Sequence, residues 1–83
     1  MGYDISFKSS VYKDLKKIDK TKAAHILDKI EKDLTESPDS YPLLSGKFTG
    51  LRKYRVGDYR VIFSILNDTV LILRISHRKN AYK

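Results

Sequence analysis

Apolar and polar positions alternate with a period of two at the start of the chain, where Tyr3, Ile5 and Phe7 are interleaved with Asp4 and Ser6. That period predicts a strand. The period then lengthens. Val11, Leu15 and Ile18 recur at helical spacing with Lys13, Lys16 and Lys17 turned outward, and Ser9 or Ser10 is placed to cap that helix. Asp19-Lys20 reads as a break. Thr21 is placed to cap a second helix, whose apolar stripe is Ala23, Ile26, Leu27, Ile30 and Leu34. Its other face alternates in charge (Asp28, Lys29, Glu31, Lys32, Asp33), the pattern of a solvated surface. Pro38 closes the helical region, because a residue before proline is disfavoured in the helical conformation.

From Leu51 the period of two returns. Strands are predicted at Leu51–Val56, Tyr59–Leu66 and Val70–Ser76, with Gly57-Asp58 and Asn67-Asp68 as two-residue hairpin loops whose residue types tolerate positive φ. The element order is β-α-α-β-β-β. This predicts an α+β domain over residues 1–83, with a helical hairpin on one face of a three-stranded antiparallel meander. The first strand joins that sheet at an edge or beside a non-sequential neighbour.

The hairpin loops fix a register. With Gly57-Asp58 as loop, Val56 faces Tyr59, Arg55 faces Arg60 and Lys53 faces Ile62. Alternation then places Leu51, Lys53, Arg55, Arg60, Ile62 and Ser64 on one face. Tyr54, Val56, Tyr59, Val61, Phe63 and Ile65 take the other, which is the better core face. Like charges directly opposite in a ladder are destabilising, so Arg55 opposite Arg60 has two readings: an anionic ligand sits between them, or both side chains splay into water, which screens them. Continued through Asn67-Asp68, the register pairs Ile62 with Leu73 and adds Leu71, Ile75 and His77 to the basic face; a bulge would shift these by one. The apolar half of that face needs a cover, either from a partner protein or from Tyr41, Leu43, Leu44 and Phe48 of the loop 37–50.

Charge sharpens this picture. Of 17 Lys+Arg and 10 Asp+Glu in 83 residues, residues 1–50 hold nine and eight, a balance of +1, whereas residues 51–83 hold eight and two, a balance of +6, with all five arginines. Arginine grips phosphate through a planar fork, so the second half suits a polyanion such as nucleic acid; the alternative is a charge kept for solubility. There is no cysteine, hence neither disulfides nor thiolate metal sites. No apolar run approaches the ~18 residues of a membrane helix, and the expectation is a cytoplasmic protein without a membrane partner. Paired strand carboxylates, a glycine-rich phosphate loop and a serine triad are missing, and His25 lacks a second ligand at metal spacing. If there is chemistry, it must run on Lys, Arg, His and Tyr, without metal or cofactor. Those residue types suit cleavage of RNA by its own 2′-hydroxyl, in which a base takes the hydroxyl proton, cations hold the phosphorane, and an acid protonates the departing 5′-oxygen.

The stretch Leu51-Arg52-Lys53-Tyr54-Arg55-Val56-Gly57-Asp58-Tyr59-Arg60-Val61-Ile62-Phe63, the later Ile75-Ser76-His77-Arg78-Lys79-Asn80-Ala81-Tyr82 and the preceding Leu44-Ser45-Gly46 strongly resemble the RelE/ParE toxin superfamily of toxin–antitoxin pairs. The resemblance covers essentially the whole chain. On the RelE side it implies a ribonuclease that cuts messenger RNA in the ribosomal A site. Lys53 and Arg55 would then act as general base or phosphate contacts, and Arg60 would stabilise the transition-state phosphate. Arg78 would aid leaving-group protonation and Tyr82 would stack on or orient the nucleotide. Arg52, His77 and Lys79 would be further substrate contacts, the role of His77 staying open between acid, base and neighbour. The ribosome, its mRNA and a RelB-like antitoxin protein are the implied partners. Two alternatives stand beside this: a ParE-like poison of DNA gyrase, and a non-catalytic basic module that binds RNA or the ribosome.

Overall fold

The computed structural model describes residues 2–44, 50–77 and 79. Its elements are β1 (Asp4–Phe7), α1 (Ser9–Lys16), α2 (Lys20–Asp33), a single 3-10 turn at Pro38–Ser40, β2 (Leu51–Val56), β3 (Tyr59–Leu66) and β4 (Thr69–His77). The expected α+β order is present. The four strands form one sheet in the order β1-β4-β3-β2, so β1 joins at an edge beside a non-sequential neighbour. It runs parallel to β4, with Ile5 beside Val70 and Phe7 beside Ile72, which makes the sheet mixed rather than wholly antiparallel. The two intervening helices provide the crossover that a parallel pairing needs.

Both helices pack on one face. Val11, Ile18, Ile26, Ile30 and Leu34 meet Tyr54, Val56, Val61, Phe63, Val70, Ile72 and Ile75 in a single buried cluster, with Tyr3, Ile5 and Phe7 at its margin. The predicted helical stripes thus face the predicted core side of the β2–β3 hairpin. The caps differ from expectation. Lys8 occupies the N-cap of α1 and makes no side-chain cap, while the Ser10 hydroxyl donates instead to the Leu73 carbonyl at 2.8 Å. Helix α2 starts before Thr21: Asp19 is its N-cap and accepts the Thr21 N–H at 3.1 Å. A carboxylate at that end also suits the helix dipole.

The β2–β3 register follows the two-residue loop, with Val56 paired to Tyr59, Arg55 to Arg60 and Lys53 to Ile62. Gly57 supplies the left-handed conformation at φ 58° and Asn67 does so in the second hairpin at φ 56°. The β3–β4 register begins as expected, with Leu66 beside Thr69 and Phe63 beside Ile72, and then slips: Ile62 pairs with Arg74, leaving Leu73 as the extra residue of a bulge. The expected Ile62–Leu73 pair is therefore absent, and Ile75 and His77 leave the basic face. The cause is burial. Strict alternation after Ile72 would turn Arg74 into the core and Ile75 out. With the bulge, Ile75 is 2% exposed and the Arg74 side chain stays 59% exposed.

The bulge lies where β1 has ended and α1 takes over as neighbour. Lys8 N–H donates to the Ile72 carbonyl at 2.9 Å. Asp14, almost buried, accepts the backbone N–H of Ile75 at 2.9 Å and the Arg74 Nε at 3.0 Å. One carboxylate thus satisfies an N–H that an edge strand would otherwise leave unpaired.

Candidate functional site

The tight loop at Gly57-Asp58 brings the cations together. Tyr54, Val56, Val61 and Phe63 are buried on the helix side, so alternation turns Lys53, Arg55 and Arg60 to the opposite side, as expected from sequence. These three converge on a pocket of about 370 Å³ at the outer edge of β2, which Tyr41, Pro42 and Tyr54 complete. Beside that edge runs a strap formed by the chain before β2. Leu44 N–H donates to the Leu51 carbonyl at 2.8 Å and Lys53 N–H to the Pro42 carbonyl at 3.1 Å, with Leu43 bridging antiparallel to Arg52.

The strap is fastened by Arg52. Its Nη1 donates to the carbonyls of Tyr41, at 2.7 Å, and Asp39, at 3.1 Å. Arg52 pairs with Phe63, one position out of phase with Lys53, and so does not join the basic face. In this structure its guanidinium is engaged by the strap carbonyls. Of the residues expected to cover the apolar half of the outer face, Leu43 is 55% exposed, and Tyr41 turns to the core side, its ring roughly perpendicular to those of Tyr54 at 5.0 Å and Phe63 at 6.4 Å. Phe48 lies outside the described residues.

A polar cluster anchors the tyrosines. The Tyr54 hydroxyl donates to the Asp33 carboxylate, and Lys29 approaches the same carboxylate oxygen at 3.4 Å. Burial, followed by the Asp33 carboxylate, pushes the Tyr54 phenol well above the ordinary tyrosine range. In return the Tyr54 hydroxyl, with help from Lys29, holds the Asp33 carboxyl below the usual carboxylate value. Burial, and then the charges of Asp33 and Glu36, also raises the Tyr41 phenol. Both tyrosines therefore stay neutral at physiological pH.

Of the remaining expected site residues that are described, His77 and Lys79 do not line this pocket. His77 pairs with Tyr59 and crosses its ring edge-on at 5.2 Å, on the helix side of the sheet. The Leu73 bulge put it there, one residue out of phase with the basic face. Its Nδ1 accepts the Lys79 N–H at 3.2 Å, and Lys79 is exposed. Arg78 and Tyr82 lie outside the described residues. Two residues that sequence reasoning did not assign to the site, Tyr41 and Tyr54, line its pocket. Tyr54 was correctly placed on the core face, but at an edge strand a core residue can also border a pocket that wraps the edge. Only the pairing of strap with strand, which has no signal in local sequence, brings Tyr41 there.

A mixed sheet covered by two helices on one side, with two arginines and a lysine turned to the other at the β2–β3 hairpin, is the arrangement expected of the RelE/ParE toxin superfamily. Residues 5–82 match the family described as the ParE toxin of type II toxin-antitoxin system, parDE. The chain belongs to that family, within the RelE/ParE superfamily. Among solved structures it is similar to the RelBE2 toxin–antitoxin complex of Mycobacterium tuberculosis, with a TM-score of 0.86 and 28% identity over 94% of this chain and 100% of that one. It is also similar to the archaeal RelE–RelB complex of Pyrococcus horikoshii, with a TM-score of 0.69 and 29% identity over 98% and 100% of the two chains. A mutant of E. coli RelE in its free state shares the fold, with a TM-score of 0.77 and 20% identity over 98% of this chain and 88% of that one. Curated protein sequences give no match.

Proposed function

We propose that this toxin is a ribosome-dependent mRNA endoribonuclease, acting as a single domain in the cytoplasm and held inactive by a RelB-like antitoxin. The observation that carries the reading is the convergence of Lys53, Arg55 and Arg60 on one pocket from one face of the sheet. Guanidinium groups opposed in a ladder repel each other, and an anion between them relieves that repulsion; a phosphodiester passing to a doubly charged phosphorane is such an anion. Preorganised cations stabilise that charge as it develops. In this reading Lys53 or Arg55 contacts the phosphate or takes the 2′-hydroxyl proton, and Arg60 holds the phosphorane oxygens. Arg78 assists the leaving 5′-oxygen, Tyr82 orients the nucleotide, and Lys79 adds positive charge along the message. No metal or cofactor is required, because side chains supply each role. An antitoxin partner is supported by the toxin–antitoxin complexes among the similar structures.

The test is primer extension on translated mRNA after induction of the chain, alone and with Arg60→Ala. Cuts within codons that disappear in a folded Arg60→Ala variant support the proposal; intact toxicity in that variant removes Arg60 from the mechanism. The match to the ParE toxin family keeps open the second reading that the resemblance implies, poisoning of DNA gyrase. Gyrase-linked, linearised DNA in the same cells, with intact messages, would establish that instead.

A further inference from the structure

We propose that Tyr41 is the base-stacking wall of this site, the surface on which a nucleobase of the RNA rests while its phosphate lies against Lys53, Arg55 and Arg60. This inference rests on the ribonuclease reading and adds a second substrate-contacting element to it.

The pocket combines the two features that single-stranded nucleic acid needs: cations for the backbone and an aromatic surface for a base. Tyr41 and the three cations line one hollow. Its volume, about 370 Å³, lies at the small end of the ~300–1,000 Å³ typical of ligand pockets. The larger hollow between β1 and α2, about 490 Å³, is bordered by Asp4 and Glu31 and by no cation, so it is unsuited to a polyanion.

The ring is prepositioned by bonds that do not involve it. The Tyr41 carbonyl is gripped by Arg52, and its N–H donates to the Pro38 carbonyl at 3.4 Å. Pro42 follows, and proline confines the residue before it to extended backbone; Tyr41 has φ −84° and ψ 149°. Little entropy is left to lose when a base settles on it. Tyr54 and Phe63 meet Tyr41 at interplanar angles of 74° and 80°. Neither ring is stacked in parallel on it. A tyrosine serving only as a plug for the strand edge would explain the packing but not its place in the wall of the cationic pocket.

The experiment uses bacterial ribosomes programmed with synthetic mRNAs whose A-site codon is intact or abasic at one position. Cleavage is followed under single turnover for the wild-type chain and for Tyr41→Leu, Tyr41→Phe and Tyr41→Trp. On the intact codon Tyr41→Leu should slow cleavage roughly tenfold, the scale of one lost base–aromatic stack, while the aromatic variants stay within about twofold. At one abasic position wild type and Tyr41→Leu should cleave at matching rates. A purely structural role would slow intact and abasic messages by the same factor. That outcome, or no slowing at all, overturns the inference while the ribonuclease reading stands. Absence of cleavage by the wild-type chain overturns both. Should Tyr41→Leu fail to fold, a photo-crosslink decides the matter, using wild-type protein and a message with 5-iodouridine in the codon and a 2′-deoxy nucleotide at the scissile position. Attachment at Tyr41 supports the inference, and attachment solely elsewhere overturns it.

Discussion

Arg55 stands directly opposite Arg60 across the β2–β3 ladder, so two guanidinium groups leave the same face of the sheet at the spacing of one cross-strand pair. Like charges directly opposite in a ladder repel each other. Replacing Arg55 with threonine, which suits a strand, is expected to raise unfolding free energy by several tenths to about 1 kcal/mol. The gain should shrink as added salt screens the pair. Urea titrations at low and high ionic strength measure this, and the stabilised variant should have lost cleavage of translated mRNA.

Arg52 is expected to act on the strap and not on substrate. Removing its charged bonds to two carbonyls in Arg52→Ala should cost about 1–2 kcal/mol. Hydrogen exchange localises the effect: the amides of Leu44 and Lys53, which bind the strap to β2, should lose protection. The amide of Tyr59, in the hairpin core, should change far less. Equal loss at all three would mean that Arg52 supports the whole fold.

The Tyr54–Asp33 bond predicts a pH dependence with a definite sign at each end. The Asp33 carboxyl is lowered in the folded chain. The stability it contributes is therefore complete above its ordinary value of about 3.9 and is lost as pH falls through the lowered one. The Tyr54 phenol is raised, so its contribution is complete below about pH 10 and is lost as pH rises through the raised value. Tyr54→Phe should cost about 1 kcal/mol. Its difference from wild type should be flat from roughly pH 5 to 9 and should narrow at both extremes. Thermal melts of the two proteins across pH provide the check.

Much of this site could be read from the chain because a two-residue loop leaves the hairpin no choice of register. Gly57-Asp58 fixes Arg55 opposite Arg60, and everything on the basic face of β2 and β3 follows. The Leu73 bulge was harder to see. It answers a tertiary demand, that Ile75 and not Arg74 reach the core, at a point set by where β1 stops. His77 was misplaced for that reason alone. The strap bonds of Arg52 are not legible in the chain, because its partners are carbonyls ten or more residues away and a basic residue in a basic segment carries no mark of such a bond. The parallel direction of β1 and the caps of both helices were likewise decided by packing.

Asp14 gives a sharper stability prediction than its ion pair suggests. The Arg74 side chain is 59% exposed, so Arg74→Ala should cost less than about 1 kcal/mol. Asp14→Ala also strands the Ile75 N–H, which should bring the cost to about 1–3 kcal/mol. Chemical denaturation of both variants distinguishes them. Equal losses would show that the ion pair, and not the backbone bond, is what matters.

The same carboxylate has a consequence for the behaviour of many copies together. β1 is only four residues long, so the lower part of β4 would present a bare border onto which another molecule's strand could add. With α1 laid along that border and Asp14 occupying its donor, growth of the sheet from copy to copy is blocked there by a negative charge. Free copies of the chain are in this way guarded against self-polymerisation along that side.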